Sequence, residues 1–465
     1  MKHINIKKLM QNEAAQKVII FIACVIFIYL LISLYFTNHF YANTMINGVN
    51  VSLKSYREAE KLMKSYADDF QLQLIERNGE TEIITGKEIG LQYNQKNSIS
   101  QVYQLQNSLK WLNSFLRNQK YYIKDLYSYQ ETLLKQRMDE LNCLDREIIE
   151  PKNVQFRYSN GSYEVEEAIY GNKINLEKLE EMIDRHLLNG VAVLDLDKKQ
   201  CYENPKYTIN SEKTSETRDL LNRYAATKIT YRFGDKMEFL DGSIIKNWLS
   251  VDDNLEVLLS EEAVADYVKT LSEIYDTVGI TRNFKTSMGK IVEVKGGLYG
   301  WRIDRDAEAK ELIEYVKRGT VIEKEPIYIQ KALSRDDNEI GDTYVEINIT
   351  RQHLWFYKNG ELIAQGSVVT GNPNRGNSTV LGTNMLNYKQ NNATLSGPGY
   401  GVKVTYWMPF YGNIGIHDAS WRHSFGGQIY KVNGTHGCVN APAGLAKKIF
   451  ENIDKGIPII SYEEK

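Results

Sequence analysis

The chain has little of what builds metal centres or disulfide frameworks. Its 465 residues include four cysteines, Cys24, Cys143, Cys201 and Cys438, and seven histidines. No two cysteines form a CxxC pair, which argues against a zinc ribbon or a thioredoxin-like dithiol. An excess of either charge is also missing: 57 Lys and Arg face 59 Asp and Glu, a formal net charge of -2. No basic surface for nucleic acid follows from that balance, and no nucleic acid partner is expected. Long apolar runs are scarce as well, with one exception near the N-terminus.

That exception is VIIFIACVIFIYLLISLYF, residues 18–36, a stretch of 19 residues without a charge. At about 1.5 Å per residue it is long enough to cross the hydrocarbon core of a bilayer. A cleaved signal peptide is the alternative, because it too follows a basic N-terminus. Its apolar region is usually shorter and ends at a small-x-small triplet, and Leu34-Tyr35-Phe36 supplies none. The run therefore reads as an uncleaved transmembrane anchor. Lys2, Lys7, Lys8 and Lys17 outweigh Glu13, so residues 1–17 read as a cytoplasmic tail and all that follows Phe36 as extracellular. The expected location is the cell membrane, with a single pass.

Beyond the anchor, INGVNVSLKSYREAEKLM predicts a turn, a short strand and a helix, with Ser55 and Glu58 at capping-box spacing. QLQLIERNGETEIITG predicts a hairpin turning at Asn78-Gly79. Val102, Leu105, Leu109, Leu112 and Leu116 recur at steps of 3 and 4, which predicts a helix. Leu133, Leu134, Met138 and Leu141 suggest another. KITYRFGDKMEFLDGSIIKNWL then repeats the plan of QLQLIERNGETEIITGKEIGLQY: strand, Gly turn, strand, then an Ile-containing segment, which reads as a weak internal repeat. Ser260 and Asp304 are expected helix N-caps, and Gly319 a helix stop.

Composition shifts after the polar linker SRDDNEIGD. The last 123 residues hold 16 of the 32 glycines and 5 of the 8 prolines. Such turn density between Val, Ile and Tyr runs predicts a β-rich domain. The fold class is thus α+β and multidomain, with a single N-terminal transmembrane helix at 18–36. Two α+β modules follow at 37–205 and 215–330, and a C-terminal β-rich domain at 343–465.

Chemistry concentrates between residues 414 and 440, IGIHDASWRHSFGGQIYKVNGTHGCVN. A lone Cys is most often a small buried hydrophobe. Cys438 differs in its setting, with Gly437 beside it, His436 two residues before, His417 21 residues upstream and a predicted helix start near Pro442. A thiol beside imidazole is a candidate nucleophile, and a helix N-terminus favours thiolate. If His417 is the general base, a third group should hold its ring, either Asp418 or a backbone carbonyl. His423 reads as solvent-facing. His417, His423, His436 and Cys438 could also ligate zinc, but a His-x-Cys pair suits that poorly, so neither metal nor cofactor is expected. GNPNRGNST lacks the Lys-Ser/Thr of a phosphate loop. The aromatic cluster Tyr400, Tyr406, Trp407, Phe410, Tyr411 and Trp421 reads as core, part of which would wall a substrate groove. Pairing of Cys143 with Cys201 stays open.

Read together, His417 and Thr435-His436-Gly437-Cys438-Val439-Asn440 resemble the signature of the L,D-transpeptidases with a YkuD-type catalytic domain: a His, a spacer, then Ser/Thr-His-Gly-Cys, a hydrophobic residue and Arg or Asn. YVEINITRQHLWFYKNGELI and STVLGTNML extend the resemblance. Val380 stands where Pro is usual and Thr435 where Ser is commoner. Upstream, RYAATKITYRFGD and FKTSMGKIVEVKGGLYGWRIDR resemble the domain named for peptidoglycan binding in Gram-positive enzymes of this kind. Residues 37–205 look like a divergent copy of it.

The resemblance implies a cysteine-dependent acyl transfer on peptidoglycan stem peptides. Cys438 would be the nucleophile and His417 the general base and acid. His436 would support the site, and the Gly437 and Cys438 N–H groups would stabilise the oxyanion. Thr435, Asn440, Trp407, Tyr406 and Asp418 are the candidate substrate contacts. Release of D-Ala from a tetrapeptide stem would give a thioester, which the amine of a second stem resolves into a 3-3 cross-link. Acylation by carbapenems is expected on the same ground. An L,D-carboxypeptidase, resolving the thioester with water, is one alternative. A non-catalytic wall-binding protein is another. Sortase-like and papain-like peptidases fit less well, because the Thr-His-Gly-Cys context is foreign to both.

Overall fold

In a computed structural model of the chain, residues 13–397 and 400–464 are described. The chain divides into two compact units, residues 1–155 with 166–211, and residues 156–165 with 212–465.

The first unit opens with the helix Glu13–Tyr35, whose most apolar window has a mean hydropathy of 3.0. It is long and apolar enough to cross a membrane. Lys2, Lys7 and Lys8, invoked above for orientation, lie outside the described residues. The helix Tyr56–Asp68 starts at the expected capping box: Ser55 N donates to Glu58 Oε2 at 2.8 Å, and Glu58 N to Ser55 Oγ at 3.3 Å. The strands Gln71–Ile75 and Thr81–Thr85 pair antiparallel, with Gly79 in the left-handed region at φ +86°. The strand Val193–Asp195 joins Gln71–Ile75 in parallel after the helix Leu176–Asn189. Met63, Leu72, Leu74, Ile84, Leu179 and Ile183 are buried together between these elements.

The leucine stripe after residue 100 does not form the single helix its spacing predicts. The chain breaks into Ser100–Gln104, a 3-10 turn at Ser108–Lys110 and Leu112–Leu116. Val102 is buried, whereas Leu105, Leu109, Leu112 and Leu116 are exposed. The polar residues between them explain the break. Asn107 accepts from Leu109 N at 3.1 Å and restarts the helix, while Gln106 accepts from Tyr41 N and donates to the Phe36 and His39 carbonyls. A side chain committed to another segment overrides local periodicity.

The hairpin Gln155–Ser159 and Ser162–Glu166, which the sequence reading placed inside 37–205, clusters with the second unit. Tyr163 packs on Leu221 and Ala225, and the Asn222 side chain bonds both the N–H and the carbonyl of Tyr163. Next comes a sheet in which Lys228–Phe233 pairs antiparallel with Lys236–Leu240 and parallel with Val321–Lys324. This is the topology of the sheet built on Gln71–Ile75 in the first unit: a central first strand, an antiparallel second and a parallel third. Ser260 caps Glu261–Tyr275 and Asp304 caps Arg305–Arg318, which ends at Gly319 with φ +66°.

The C-terminal domain stacks two sheets. The first contains β1 (Tyr344–Asn348), β2 (His353–Lys358), β3 (Glu361–Ser367) and β4 (Gly382–Met385). The second contains β5 (Gln390–Gly397), β6 (Tyr400–Tyr411), β7 (Ile414–Asp418) and β8 (Val439–Ala441), and β9 (Pro458–Tyr462) returns to the first. The strand orders are β3-β2-β1-β9-β4 and β5-β6-β7-β8, with β1/β9 and β7/β8 the parallel pairs. Ile347, Phe356, Met408, Ile416 and Val439 fill the core with Ile449 of the helix Ala443–Asn452. Asn359 and Gly360, both at positive φ, turn β2 into β3. The parallel pair β7/β8 carries the residues singled out from the sequence.

Candidate active site

β7 and β8 place His417 opposite Asn440, which puts Cys438 at the end of the neighbouring strand. On the other side β6 sets Trp407 opposite His417. The imidazole is buried, and its Nδ1 lies 2.8 Å from the carbonyl oxygen of Asp418. Of the two ring holders foreseen, the backbone carbonyl is therefore the one used. A carbonyl only accepts, so Nδ1 carries the proton and Nε2 keeps its lone pair. The Asp418 carboxylate turns away from the imidazole: its Oδ1 accepts from Thr405 N at 2.8 Å and Tyr406 N at 2.7 Å.

The loop before Cys438 is held by hydroxyls. Thr435 Oγ1 donates to the Cys438 carbonyl at 2.6 Å and accepts the Gly437 N–H at 3.0 Å. The Gly437 N–H thus points into its own loop, which corrects its expected part in an oxyanion hole. Gly437 itself sits at φ +119°, a region that disfavours any side chain. Its carbonyl accepts from Thr379 Oγ1 at 2.7 Å, and the same hydroxyl receives Gly371 N at 2.9 Å. The STVLGTNML segment is therefore a direct brace of the cysteine loop.

A cavity of about 460 Å³ opens here. His417, Cys438, His436, Thr435, Asn440 and Trp407 all line it. Two predicted contacts do not. Tyr406 alternates to the opposite face of β6 and packs on Phe450 with ring centroids 5.3 Å apart, and Asp418 is buried beneath the strands. Of the aromatic cluster, Trp407 and Trp421 face the cavity, with centroids 5.9 and 6.0 Å from the His417 ring. Phe410 is core, Tyr411 is exposed, and the Tyr400 side chain lies outside what the structure describes. His423 is exposed, as expected. Sequence reasoning missed Arg422, Asn413 and the β5/β6 residues Leu395 and Val402, which also line the cavity. The run IGIHDASWR held a signal for Arg422, a cation five residues from the imidazole.

Burial sets the electrostatics. It lowers the His417 pKa, and the Arg422 charge adds to that, against the opposing pull of Asp418. Burial also raises the Cys438 thiol, although the Gly415 N–H works the other way. The Sγ approaches the Asn413 carbonyl at 3.5 Å, a partner that favours the protonated thiol. Help from the helix N-terminus, expected above, is weakened because β8 intervenes between Cys438 and the helix Ala443–Asn452. Both shifts favour the neutral thiol and the neutral imidazole. The other cysteines are free. Cys143 and Cys201 are both buried, and burial pushes their thiols up to about 12 and about 11.

Comparison with known proteins agrees with this geometry. The family model of the YkuD L,D-transpeptidase catalytic domain matches residues 342–460. The model described as a peptidoglycan binding domain matches twice, over 83–193 and 207–322. Among solved structures, an Enterococcus faecium L,D-transpeptidase with a Cys-to-Ser substitution is 32% identical, over 53% of this chain and 100% of its own, with a TM-score of 0.43. The Ldtfm-avibactam carbamoyl enzyme is 32% identical over 54% of this chain and 100% of its own, with a TM-score of 0.44. The ertapenem-acylated catalytic domain of the E. faecium L,D-transpeptidase is 36% identical over 26% of this chain and 98% of its own, with a TM-score of 0.25. No curated protein matches the chain. With a catalytic-domain match at its C-terminus and 32% identity along the whole enterococcal chain, this protein belongs to the L,D-transpeptidase family.

Proposed function

We propose that the protein is a cysteine-dependent L,D-transpeptidase that forms 3-3 cross-links in peptidoglycan. The observation that carries this reading is the pair His417 and Cys438, brought to one cavity by adjacent strands with the imidazole Nδ1 fixed on the Asp418 carbonyl. Cys438 Sγ attacks the carbonyl of the third stem residue while His417 Nε2 takes the thiol proton. The C–N bond to the terminal D-Ala breaks, His417 returns the proton to the leaving amine, and a thioester remains. The amine of a second stem then attacks the thioester. His417 takes a proton from that amine and passes it to the departing Sγ, so that the amide forms and the thiol is restored. The Cys438 N–H replaces that of Gly437 as the backbone donor to the oxyanion, because Gly437 is engaged by Thr435. His436, at the exposed cavity edge, supports the incoming peptide with Thr435, Asn440 and Trp407.

In this reading the helix Glu13–Tyr35 is an uncleaved anchor, residues before it are cytoplasmic, and the catalytic domain faces the wall. The two matches to a peptidoglycan binding domain suit that placement. Carbapenems would acylate Cys438, as ertapenem acylates the enterococcal catalytic domain.

Full-length protein in detergent, given disaccharide-tetrapeptide, should release D-Ala and yield dimers, and Cys438→Ala should do neither. Dimers from Cys438→Ala would refute the assignment. Water as acceptor gives tripeptide without dimer, so product analysis separates a carboxypeptidase. Mass spectrometry after carbapenem treatment should find one adduct, on Cys438.

A further inference from the structure

The segment 105–116 carries an apolar surface that the soluble core does not use. Leu116 and Leu105, 83% and 78% exposed, are the two most exposed large apolar side chains among the described residues, and Leu109, Leu112 and Phe115 are each more than half exposed. Single exposed leucines are ordinary, but five large apolar residues within 12 mark a surface that meets something.

Its neighbour indicates what. Trp111, in the middle of the segment, is buried against the end of the long apolar helix, with ring centroids 5.4 Å from Tyr29 and 6.1 Å from Phe36. The Tyr29 hydroxyl donates to the Leu109 carbonyl, and the Tyr41 hydroxyl to that of Asn107. The segment is therefore fixed beside the stretch from Tyr29 to Phe36, about 10 Å of helix at 1.5 Å per residue. An interfacial element buries its apolar face about 5–10 Å into the boundary between headgroups and acyl chains. Charge points the same way. Residues 89–124 contain no Asp or Glu but hold Lys96, Lys110, Arg117, Lys120 and Lys124, all exposed. Cations flanking an apolar strip suit anionic lipid headgroups.

We propose that residues 105–116 form a second membrane contact, lying in the outer interface of the bilayer with Leu105, Leu109, Leu112, Phe115 and Leu116 in the acyl boundary and Lys110 and Arg117 at the headgroups. The inference rests on the anchor reading of Glu13–Tyr35. It explains why those leucines are apolar without being buried. It also makes the membrane-proximal module a platform held to the bilayer at two places.

The test uses the full chain with p-benzoylphenylalanine replacing Leu116, Ile26 or Ile291 in turn. Each protein is reconstituted in phosphatidylcholine vesicles containing phosphatidylglycerol, and lipid adducts are counted by mass spectrometry after irradiation. Ile26 lies in the long helix, and Ile291 is a 73% exposed control in the other unit. Adducts at Leu116 about tenfold above the Ile291 background, together with adducts at Ile26, support the proposal. Adducts at Ile26 with only background at Leu116 overturn it and leave the anchor intact. Background at both sites overturns the anchor reading and the proposal together.

Discussion

His417 Nδ1 and the carbonyl oxygen of Asp418, its immediate neighbour in sequence, lie 2.8 Å apart. The contact fixes the tautomer from the backbone, with no carboxylate involved. The imidazole that results is buried, and burial and Arg422 both hold its pKa below the usual histidine value.

A pH profile follows from those shifts. A depressed His417 pKa keeps the base neutral down to below about pH 6.5, so the acid limb of kcat/KM should fall below that point. Arg422→Gln removes a nearby charge that disfavours imidazolium, and should move the acid limb upward. Stability has the same sign: the unfolded chain binds the His417 proton more readily, so stability drops as pH falls through the window below about 6.5. Cys438 is shifted the other way, so its alkylation by iodoacetamide should be slow at neutral pH and climb past about pH 8.5. A flat, fast alkylation rate between pH 6 and 8, on the order of that for a free thiolate, would instead mean a thiolate-imidazolium pair.

Asp418 should act as a structural brace. Both backbone N–H groups it receives go to Oδ1, so Asp418→Asn can keep them and should retain the pH profile and most of the activity. Asp418→Ala leaves the N–H groups of Thr405 and Tyr406 without their buried acceptor and should cost about 2–4 kcal/mol in chemical denaturation. If Asp418→Asn instead lost activity at unchanged stability, the carboxylate charge would have a direct part in the chemistry.

Much of this site was legible in the sequence, and the boundary of what was legible is physical. The thiol and the imidazole could be named because short motifs write them out, and the capping box at Ser55 and Glu58 because it is local. The direction of the Gly437 N–H could not, since it depends on where Thr435 turns its hydroxyl. Sequence leaves the Asp418 carboxylate and a backbone carbonyl open as ring holders, and the carboxylate instead serves backbone groups on β6, 12 and 13 residues away. Tyr406 and Trp407 are neighbours whose faces alternate, and only the register of β6 against β7 decides which one meets the cavity. The leucines of 105–116 have helical spacing, but Gln106 and Asn107 break the helix through partners that periodicity does not register.

Thr435 replaces the commoner serine without loss of its hydroxyl bonds, so Thr435→Ser should be close to neutral. Thr435→Val keeps the shape but removes the acceptor for Gly437 N–H and the donor to the Cys438 carbonyl. It should cost about 1–3 kcal/mol and slow carbapenem acylation, measured by stopped-flow fluorescence, more than it changes the acid limb. Equal acylation rates for the valine variant and the parent would remove the loop from the account of reactivity.

Thr379 tests whether the brace outside the signature matters as much as the signature itself. Its hydroxyl is buried, donates to the Gly437 carbonyl at 2.7 Å and accepts from Gly371 N at 2.9 Å, so one side chain ties the loop after β3 to the cysteine loop. Thr379→Val is nearly isosteric and leaves a buried N–H and a buried carbonyl without partners, each worth roughly 1–3 kcal/mol. Thermal unfolding should therefore show a loss of about 2–4 kcal/mol, with Thr379→Ser recovering most of it. Asn372 N and the Thr370 carbonyl hold Thr435 from that side at 3.0 Å each, but it is Thr379 that holds the Gly437 carbonyl, so the valine variant should also lose acylation rate at temperatures well below its unfolding. The serine variant should not. Loss of stability with unchanged acylation would show that Thr379 holds the fold alone and that Thr435 suffices to set the cysteine loop.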